Sequence, residues 1–229
     1  MRRLRLRWTR WPEVARSAAD LTPGQALIWR VVHRDNLPWI LDHGVHCANG
    51  GVTDPNYVQI GKPDLIRERN HRMVPVAPGG TLADYVSFYF TPFSPMTLNI
   101  VTGRGVTQRD RAELCLLVTS LHRVAAERLS FVFSDRHASL SKARFSSDLA
   151  DLTWIDWPRL QSRDFQRDPD DPERFERYEA EALVHAHLPL SALQGVVCYD
   201  SVVRDSIADQ IHRRSLSVKA VLRPEWYFP

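Results

Sequence analysis

The sequence predicts an α+β protein built on a mixed, partly antiparallel sheet. Segments rich in β-branched and aromatic residues, typical of strands, alternate irregularly with helix-like segments and show no regular β-α repeat. The chain has 229 residues, enough for one well-packed domain, and 44% of them are hydrophobic. With 25% charged residues, this composition excludes a collagen, a long coiled coil, a disulfide miniprotein and a mostly disordered chain.

The chain is expected to divide into a basic arm, residues 1–25, and a domain, residues 26–229. Basic and aromatic side chains alternate in the arm: Arg2, Arg3, Arg5, Arg7, Trp8, Arg10, Trp11 and Arg16. Such side chains bind phosphates and stack on bases. The alternative is a solvated arm whose tryptophans pack on the domain. The net charge of +3 does not by itself identify a nucleic-acid-binding protein.

The first part of the domain is expected to hold two strands, one helix and a helical turn. Residues 26–33 (ALIWRVVH) and 84–90 (DYVSFYF) have strand composition. Between them, Asp35–Asn36 precedes LPWILDH, a helix pattern with a proline in its first turn and Gly44 at its end. Glycines and prolines predict a loop over 47–63, and a helical turn with several arginines follows.

The second part is expected to contribute five more strands and three helices. Strand patterns cover 113–118, 130–133, 179–188, 193–199 and 216–226. Helix patterns cover 118–129, 137–149 and 201–215. Residues 158–176 are polar and contain several prolines, so a long surface loop is expected there. Loops of that length in a compact domain are usually functional or disordered.

Glu179 and Glu181 are the candidate chemical groups. On a strand, side chains two residues apart face the same side, so both carboxylates would point into one cleft. Two close carboxylates repel, which raises one pKa and suits the pair to proton handling or to stabilising a cation. The alternative is a pair of solvated surface glutamates.

Metal and other cofactor motifs are missing from the sequence. The three cysteines stand far apart, without a CxxC pair, and are expected to be reduced core residues of a cytoplasmic protein. His185 and His187 have metal-pair spacing but no third ligand nearby, so ordinary histidines and no metal are expected. The nucleotide-binding motifs GxGxxG and GxxxxGK(S/T) and the hydrolase motif GxSxG are absent as well.

Several segments together resemble a known family. They are IWRVVHRDNLPWILDHGVHC, IRERNHRMVPVAPGGTLADYVSFYFTPFSPM, SFVFSDRHAS, RFSSDL, AEALVH and RPEWY. From about residue 26 to its end the chain is similar to the DarT family of bacterial toxins, which attach ADP-ribose from NAD to bases of single-stranded DNA. The resemblance implies an ADP-ribosyltransferase-like fold, a split, mixed and partly antiparallel β core flanked by helices that binds NAD in a cleft.

The resemblance also implies roles for individual residues. The catalytic glutamate of the family falls on Glu181, and its active-site arginine falls on Arg69, with Arg67 and Arg72 as close alternatives. Contacts with NAD fall on Arg30, Val31, Val32, Trp39, Cys47 and Arg69. NAD is then a substrate.

The acceptor side departs from the family pattern. Glu179 stands where the thymidine-modifying branch has glutamine, and Arg136 stands where that branch usually has glycine. The expected DNA contacts are Glu179, Tyr178, Arg177 and Arg174, and Phe165 and Phe175 could also stack on bases. The target base, thymidine or guanosine, stays open at this point.

The expected partners are single-stranded DNA and a macrodomain antitoxin of the DarG type, with a monomeric enzyme and no membrane. Two alternatives to a DNA-modifying enzyme remain: an ADP-ribosyltransferase acting on protein or RNA, and an inactive NAD-fold module that binds nucleic acid.

Overall fold

A computed structural model describes residues 20–228, and it contains two sheets. The strands of this part of the chain are β1 (Leu27–His33), β2 (Val45–His46), β3 (Tyr85–Tyr89), β4 (Leu114–Ser120), β5 (Phe131–Ser134), β6 (Phe145–Ser146), β7 (Glu181–His185), β8 (His187–Leu188), β9 (Gly195–Cys198) and β10 (Lys219–Leu222). Eight of them form one sheet in the order β10-β9-β4-β1-β3-β7-β5-β6, and β2 pairs with β8. Of the predicted arm, only residues 20–25 belong to the described part.

Helices flank this sheet. They are α1 (Leu37–His43), α2 (Pro63–Arg69), α3 (Pro95–Thr102), α4 (Leu121–Ala126), α5 (Trp157–Ser162), α6 (Arg174–Tyr178) and α7 (Ser201–Arg213). The longest, α7, begins where the Asp200 side chain accepts a hydrogen bond from Val203 N (2.8 Å). It buries Val203, Ile207 and Ile211, which lie four residues apart on one face.

The sheet is mixed, as the sequence predicts. Every described pair of neighbouring strands is antiparallel except β9 and β10, which run parallel. Strand β4 lies between β1 and β9, and all seven of its residues are buried. Its continuous apolar composition is what a strand covered on both faces requires.

The sheet splits between β1 and β3. Strand β1 is in register with β4 over seven residue pairs and β3 with β7 over five, whereas β1 and β3 share one pair, Trp29 with Tyr89. The two halves therefore diverge from the one residue pair that they share in register, a point that we call the fork. This is the split β core that the resemblance implies.

Three predictions of local structure are wrong. Residues 137–149 were expected to form a helix, but they form turns and the short strand β6, because the Asp135 carboxylate accepts hydrogen bonds from Arg144 N (3.0 Å) and Nε (2.9 Å) and closes the chain back on itself. The expected loop over 158–176 holds most of α5 and α6. Glu179 follows α6 and precedes the strand, so the two glutamates do not share one strand.

Candidate active site

Glu181 begins β7 in the middle of the β3–β7–β5 half of the sheet. It lies opposite Tyr89 of β3 on one side and Ser134 of β5 on the other, and only 1% of the residue is exposed. A carboxylate in such a position is rare unless it has partners.

Two donors bind the Glu181 carboxylate. Arg69 Nη1 donates to Oε2 (3.0 Å), and the backbone N–H of Ala138 donates to Oε1 (3.0 Å). Burial by itself would raise the pKa of Glu181, but the charges of Arg69 and His137 and these hydrogen bonds outweigh burial and hold the pKa below its usual value. The side chain is therefore an ionised carboxylate within the protein.

Arg69 is the arginine that reaches Glu181 from α2. Arg67, one of its two alternatives, pairs with Asp64 on the surface, and its side chain is 70% exposed against 17% for Arg69. The Nη2 atom of Arg69 is buried and has no hydrogen-bond partner among the described residues. An N–H group without a partner beside the carboxylate is available to a ligand.

Arg72, the other alternative, supports the site from behind. Its Nη2 donates to Leu140 O (2.9 Å) and its Nε to Ala138 O (3.3 Å). These bonds hold the turn after β5 that supplies the Ala138 N–H to Glu181. In the same turn, His137 places its Nδ1 at 4.0 Å from Glu181 Oε1.

Arg30 and Tyr89 lie at the fork. Arg30 Nη1 donates to both the backbone oxygen (2.9 Å) and Oγ (3.2 Å) of Ser87 on β3, so the arginine spans the two halves of the sheet. Burial raises the pKa of Tyr89, and the negative charge of Glu181 raises it further, so the phenol stays protonated. Sequence reasoning missed Tyr89. Its position opposite Glu181 depends on the β3–β7 register, which no local signal gives.

Glu179 differs from Glu181 in its surroundings. It is partly buried, and its carboxylate has no hydrogen bond or ion pair with any described residue. Burial raises its pKa to about 8, with a further contribution from the charge of Glu181. The predicted interaction of the two carboxylates is thus present, although they do not lie on one strand.

The predicted DNA contacts Arg174, Arg177 and Tyr178 already have protein partners. Arg174 pairs with Asp168 (2.8 Å) and Asp164, and Arg177 with Asp171 and Asp156. Tyr178 is fully buried, and its hydroxyl donates to Phe93 O (3.2 Å). Its ring has no exposed face in this arrangement, so its observed role is to anchor the segment to the domain.

The remaining predicted NAD contacts lie on β1 and just beyond it. Val31 and Val32 are buried in the core, in register with Leu116 and Cys115 of β4. Other predicted residues lie around α1 and β2: Trp39 stacks on His43 (ring centroids 4.6 Å apart), and Cys47 is buried, which raises the pKa of its thiol. Their contact with NAD stays a prediction.

A family model described as "ssDNA thymidine ADP-ribosyltransferase, DarT" matches residues 29–228, which is most of the chain. The chain belongs to the DarT family. A curated DNA ADP-ribosyl transferase of Escherichia coli O127:H6 is 51% identical over 212 residues, covering 92% of this chain and 97% of that protein. One from Thermus sp. 2.9 is 33% identical, covering 90% and 98%.

Solved DarT structures share the fold. Thermus sp. 2.9 DarT in complex with ADP-ribosylated ssDNA superposes with a TM-score of 0.83 at 32% identity, covering 90% of this chain and 98% of that one. The same protein in complex with NAD+ gives a TM-score of 0.79 at 32% identity, covering 89% and 98%. The predicted fold and activity are confirmed: this DarT chain is a toxin enzyme that transfers ADP-ribose from NAD, its substrate, to single-stranded DNA.

Metal-ligand clusters and membrane-spanning helices are both missing from the described part of this DarT chain. No group of three or more potential metal ligands occurs among residues 20–228. Within the same range, no helix has the length and apolar character needed to cross a bilayer.

Proposed function

We propose that this DarT enzyme modifies thymine bases, with Glu181 as the catalytic carboxylate and Arg69 as its partner in the active site. The observation that carries the proposal is the ionised Glu181, buried beside the fork with Arg69 on one oxygen and the Ala138 N–H on the other. Thymine as the target is supported by the description of the family model.

The chemistry requires a carboxylate where positive charge develops. When the bond between C1′ of the ribose and nicotinamide breaks, its electron pair leaves with nicotinamide and the ribose becomes cationic. Glu181 is fixed before the reaction and stabilises this cation without reorganisation. A ring nitrogen of the base then forms the new bond to C1′ and loses its proton. The resemblance assigns help with this proton to Arg69.

NAD binding is proposed for the residues around the fork. Arg30 and Arg69 are guanidinium groups, which bind phosphate oxygens in a bidentate manner. Each keeps a buried N–H without a partner among the described residues, Nε of Arg30 and Nη2 of Arg69. The contacts predicted for Val31, Val32, Trp39 and Cys47 complete this set.

Glu179 is proposed to contact the acceptor base. With its pKa raised to about 8, it is a neutral acid at pH 7 and offers one O–H donor and one carbonyl acceptor. The side-chain amide of glutamine, which the resemblance expects at this position, offers the same two functions. An exposed base is bound through hydrogen bonds to its pairing edge. The departure from the family pattern is therefore compatible with the same base.

The antitoxin partner, the oligomeric state and the location are proposed from the family resemblance. We infer that a macrodomain antitoxin removes the modification, that the enzyme is a monomer, and that it acts in the cytoplasm. The three cysteines are free thiols, as a reducing compartment requires.

The test is to incubate the protein with NAD and homopolymer oligonucleotides, digest the DNA to nucleosides and measure the adduct mass. We expect an ADP-ribose adduct on thymidine. Glu181→Gln is expected to lower the rate at least about 100-fold, because it removes the charge that stabilises the cation. The matched control is Glu225→Gln, at an exposed position, which is expected to keep the wild-type rate.

Two results would contradict the proposal. An adduct on deoxyguanosine alone would exclude thymine as the target. A Glu181→Gln protein with wild-type activity would exclude the catalytic role of this residue.

A further inference from the structure

The arginines of the segment from the start of α5 to the end of α6 fall into two classes. Arg159, Arg174 and Arg177 each pair with aspartates of the same segment. Arg163 and Arg167 are exposed and form no ion pair with any described residue. Six carboxylates of this segment are within ion-pair distance of other cations, namely Asp156, Asp164, Asp168, Asp171, Glu173 and Glu176. The other two, Asp170 and Glu179, form no ion pair with a described residue.

Both unpaired arginines are held against aromatic rings. The guanidinium carbon of Arg163 lies 3.6 Å from the ring centroid of Phe93, and that of Arg167 lies 5.2 Å from the centroid of Phe175. Stacking restrains a guanidinium group through its face and leaves its N–H groups free. The two positive charges are therefore positioned but have no ion-pair partner among the described residues.

These arginines lie next to the proposed acceptor contact. Phe93, beneath Arg163, accepts a hydrogen bond from Tyr178, the residue before Glu179. Phe175, beneath Arg167, is four residues before Glu179, and the charge of Arg167 acts on that carboxyl group. The surface formed by Arg163 and Arg167 therefore adjoins the residue that is proposed to contact the base.

We propose that Arg163 and Arg167 bind backbone phosphates of the single strand next to the modified base. The inference rests on the proposed contact between Glu179 and the base. It assigns the DNA-binding role predicted for Arg174 and Arg177 to arginines that form no ion pair with a described residue. Phosphate contacts fix the register of a strand without selecting its sequence, so the two arginines determine how tightly DNA binds and leave the choice of base to the site itself.

The test measures initial rates against oligonucleotide concentration at several salt concentrations for Arg163→Gln, Arg167→Gln and the double variant. Each single variant is expected to raise KM for DNA about tenfold, because it loses one hydrogen bond between a charged side chain and a phosphate. KM for NAD and kcat at saturating DNA stay unchanged. The slope of log(kcat/KM) for DNA against log[salt] becomes shallower by about 0.7 for each phosphate that the variant no longer neutralises.

Arg128→Gln is the matched control. Arg128 is exposed, has no ion pair with a described residue, and has φ 57°, close to the 55° of Arg163. It precedes β5 at the end away from Glu181, because Phe131 pairs with Val184 and Ser134 with Glu181. This variant is expected to keep the wild-type KM for DNA and the wild-type salt slope.

A double variant with the wild-type slope would overturn the inference. So would a slope that flattens in Arg174→Gln and Arg177→Gln but not in Arg163→Gln and Arg167→Gln. Failure of the proposed function gives a different result, because the wild-type protein would then modify a base other than thymine. The same salt series can be run with an oligonucleotide that contains that base.

Discussion

Glu181 shows how a buried position can keep a charge. Removing a carboxylate from water costs several kcal/mol, and only close, well-directed partners offset that cost. Arg69 and the Ala138 N–H bind one oxygen each, and His137 adds positive charge nearby. In the proposed mechanism a neutral Glu181 would lose its electrostatic effect on a cationic ribose, so the same partners that keep the buried carboxylate charged also serve its proposed role.

Glu179 makes the stability of the protein depend on pH. Its pKa is raised to about 8 in the folded protein, against about 4.3 in an unfolded chain. Between these values the folded state holds a proton that the unfolded state has released. Stability from this group is therefore fully present at acidic pH and is lost as pH rises through about 8. Glu179→Gln is expected to raise the unfolding temperature relative to wild type more at pH 8.5 than at pH 5.5.

Thermal unfolding at the two pH values measures this difference, with Glu225→Gln as the control because that glutamate is exposed. The control is expected to shift the unfolding temperature equally at both pH values. An equal shift for Glu179→Gln would mean that its pKa is not raised in the folded protein.

The turn before β3 is fixed by one carboxylate. Asp84 accepts hydrogen bonds from the N–H (2.6 Å) and the hydroxyl (3.0 Å) of Thr81 and from Asn49 Nδ2 (2.8 Å). Gly80 enters this turn at φ 80°, and a Cβ atom there would lie 2.6 Å from Asp84 Oδ2. This turn leads directly into β3, and β3 places Tyr89 at the fork. The geometry of the turn therefore affects the position of Tyr89 beside Glu181.

Gly79 and Gly80 provide a matched pair of substitutions. Both have positive φ, so alanine at either is expected to cost about 1–2 kcal/mol of backbone strain. Gly79→Ala meets no atom within 4 Å, whereas Gly80→Ala displaces Asp84 and costs roughly a further 1.5–3 kcal/mol in charged hydrogen bonds. Urea unfolding of both variants measures the difference. Equal destabilisation would contradict the role of Asp84.

At the scale of the molecule, the proposed NAD site at the fork links NAD binding to the stability of the whole domain. The two halves of the sheet meet at Trp29 and Tyr89, and Arg30 links them by hydrogen bonds to Ser87. A ligand held between the halves therefore stabilises the folded chain as a whole.

NAD at about 100 times its Kd is expected to add roughly 2.7 kcal/mol, an increase of about 5–11 °C in Tm for a chain of this size. The Glu181→Gln protein is expected to show the same shift in Tm. It keeps Arg30 and Arg69, which are proposed to bind phosphate, and it is too slow to consume the NAD. Arg30→Gln requires more NAD for the same shift. Thermal unfolding over a range of NAD concentrations gives the result, with Arg128→Gln as control. An unchanged dependence in Arg30→Gln would exclude Arg30 from the NAD site.

Much of the element order was predictable from local patterns. Strands β1, β3, β7 and β9 and helix α7 have strong apolar periodicity or β-branched runs, and the structure has them there. The prediction of a helix over 137–149 is wrong because contacts from outside this segment determine its structure. Its helical pattern is overridden by Asp135 and by Arg72, which comes from a distant part of the chain, and local propensity contains neither contact.

The sequence alone predicted the α+β class, the family resemblance, Glu181 and a set of three candidate arginines, because these depend on residue type and order. Only the tertiary structure showed that Arg69, and not Arg67 or Arg72, contacts Glu181, brought Tyr89 opposite Glu181, and distinguished paired arginines from unpaired ones. The physical reason is that the charge state of a side chain and its hydrogen-bond partners depend on distances in space. Arg69 and Glu181 are 112 positions apart in the sequence, and only folding brings their side chains within 3.0 Å.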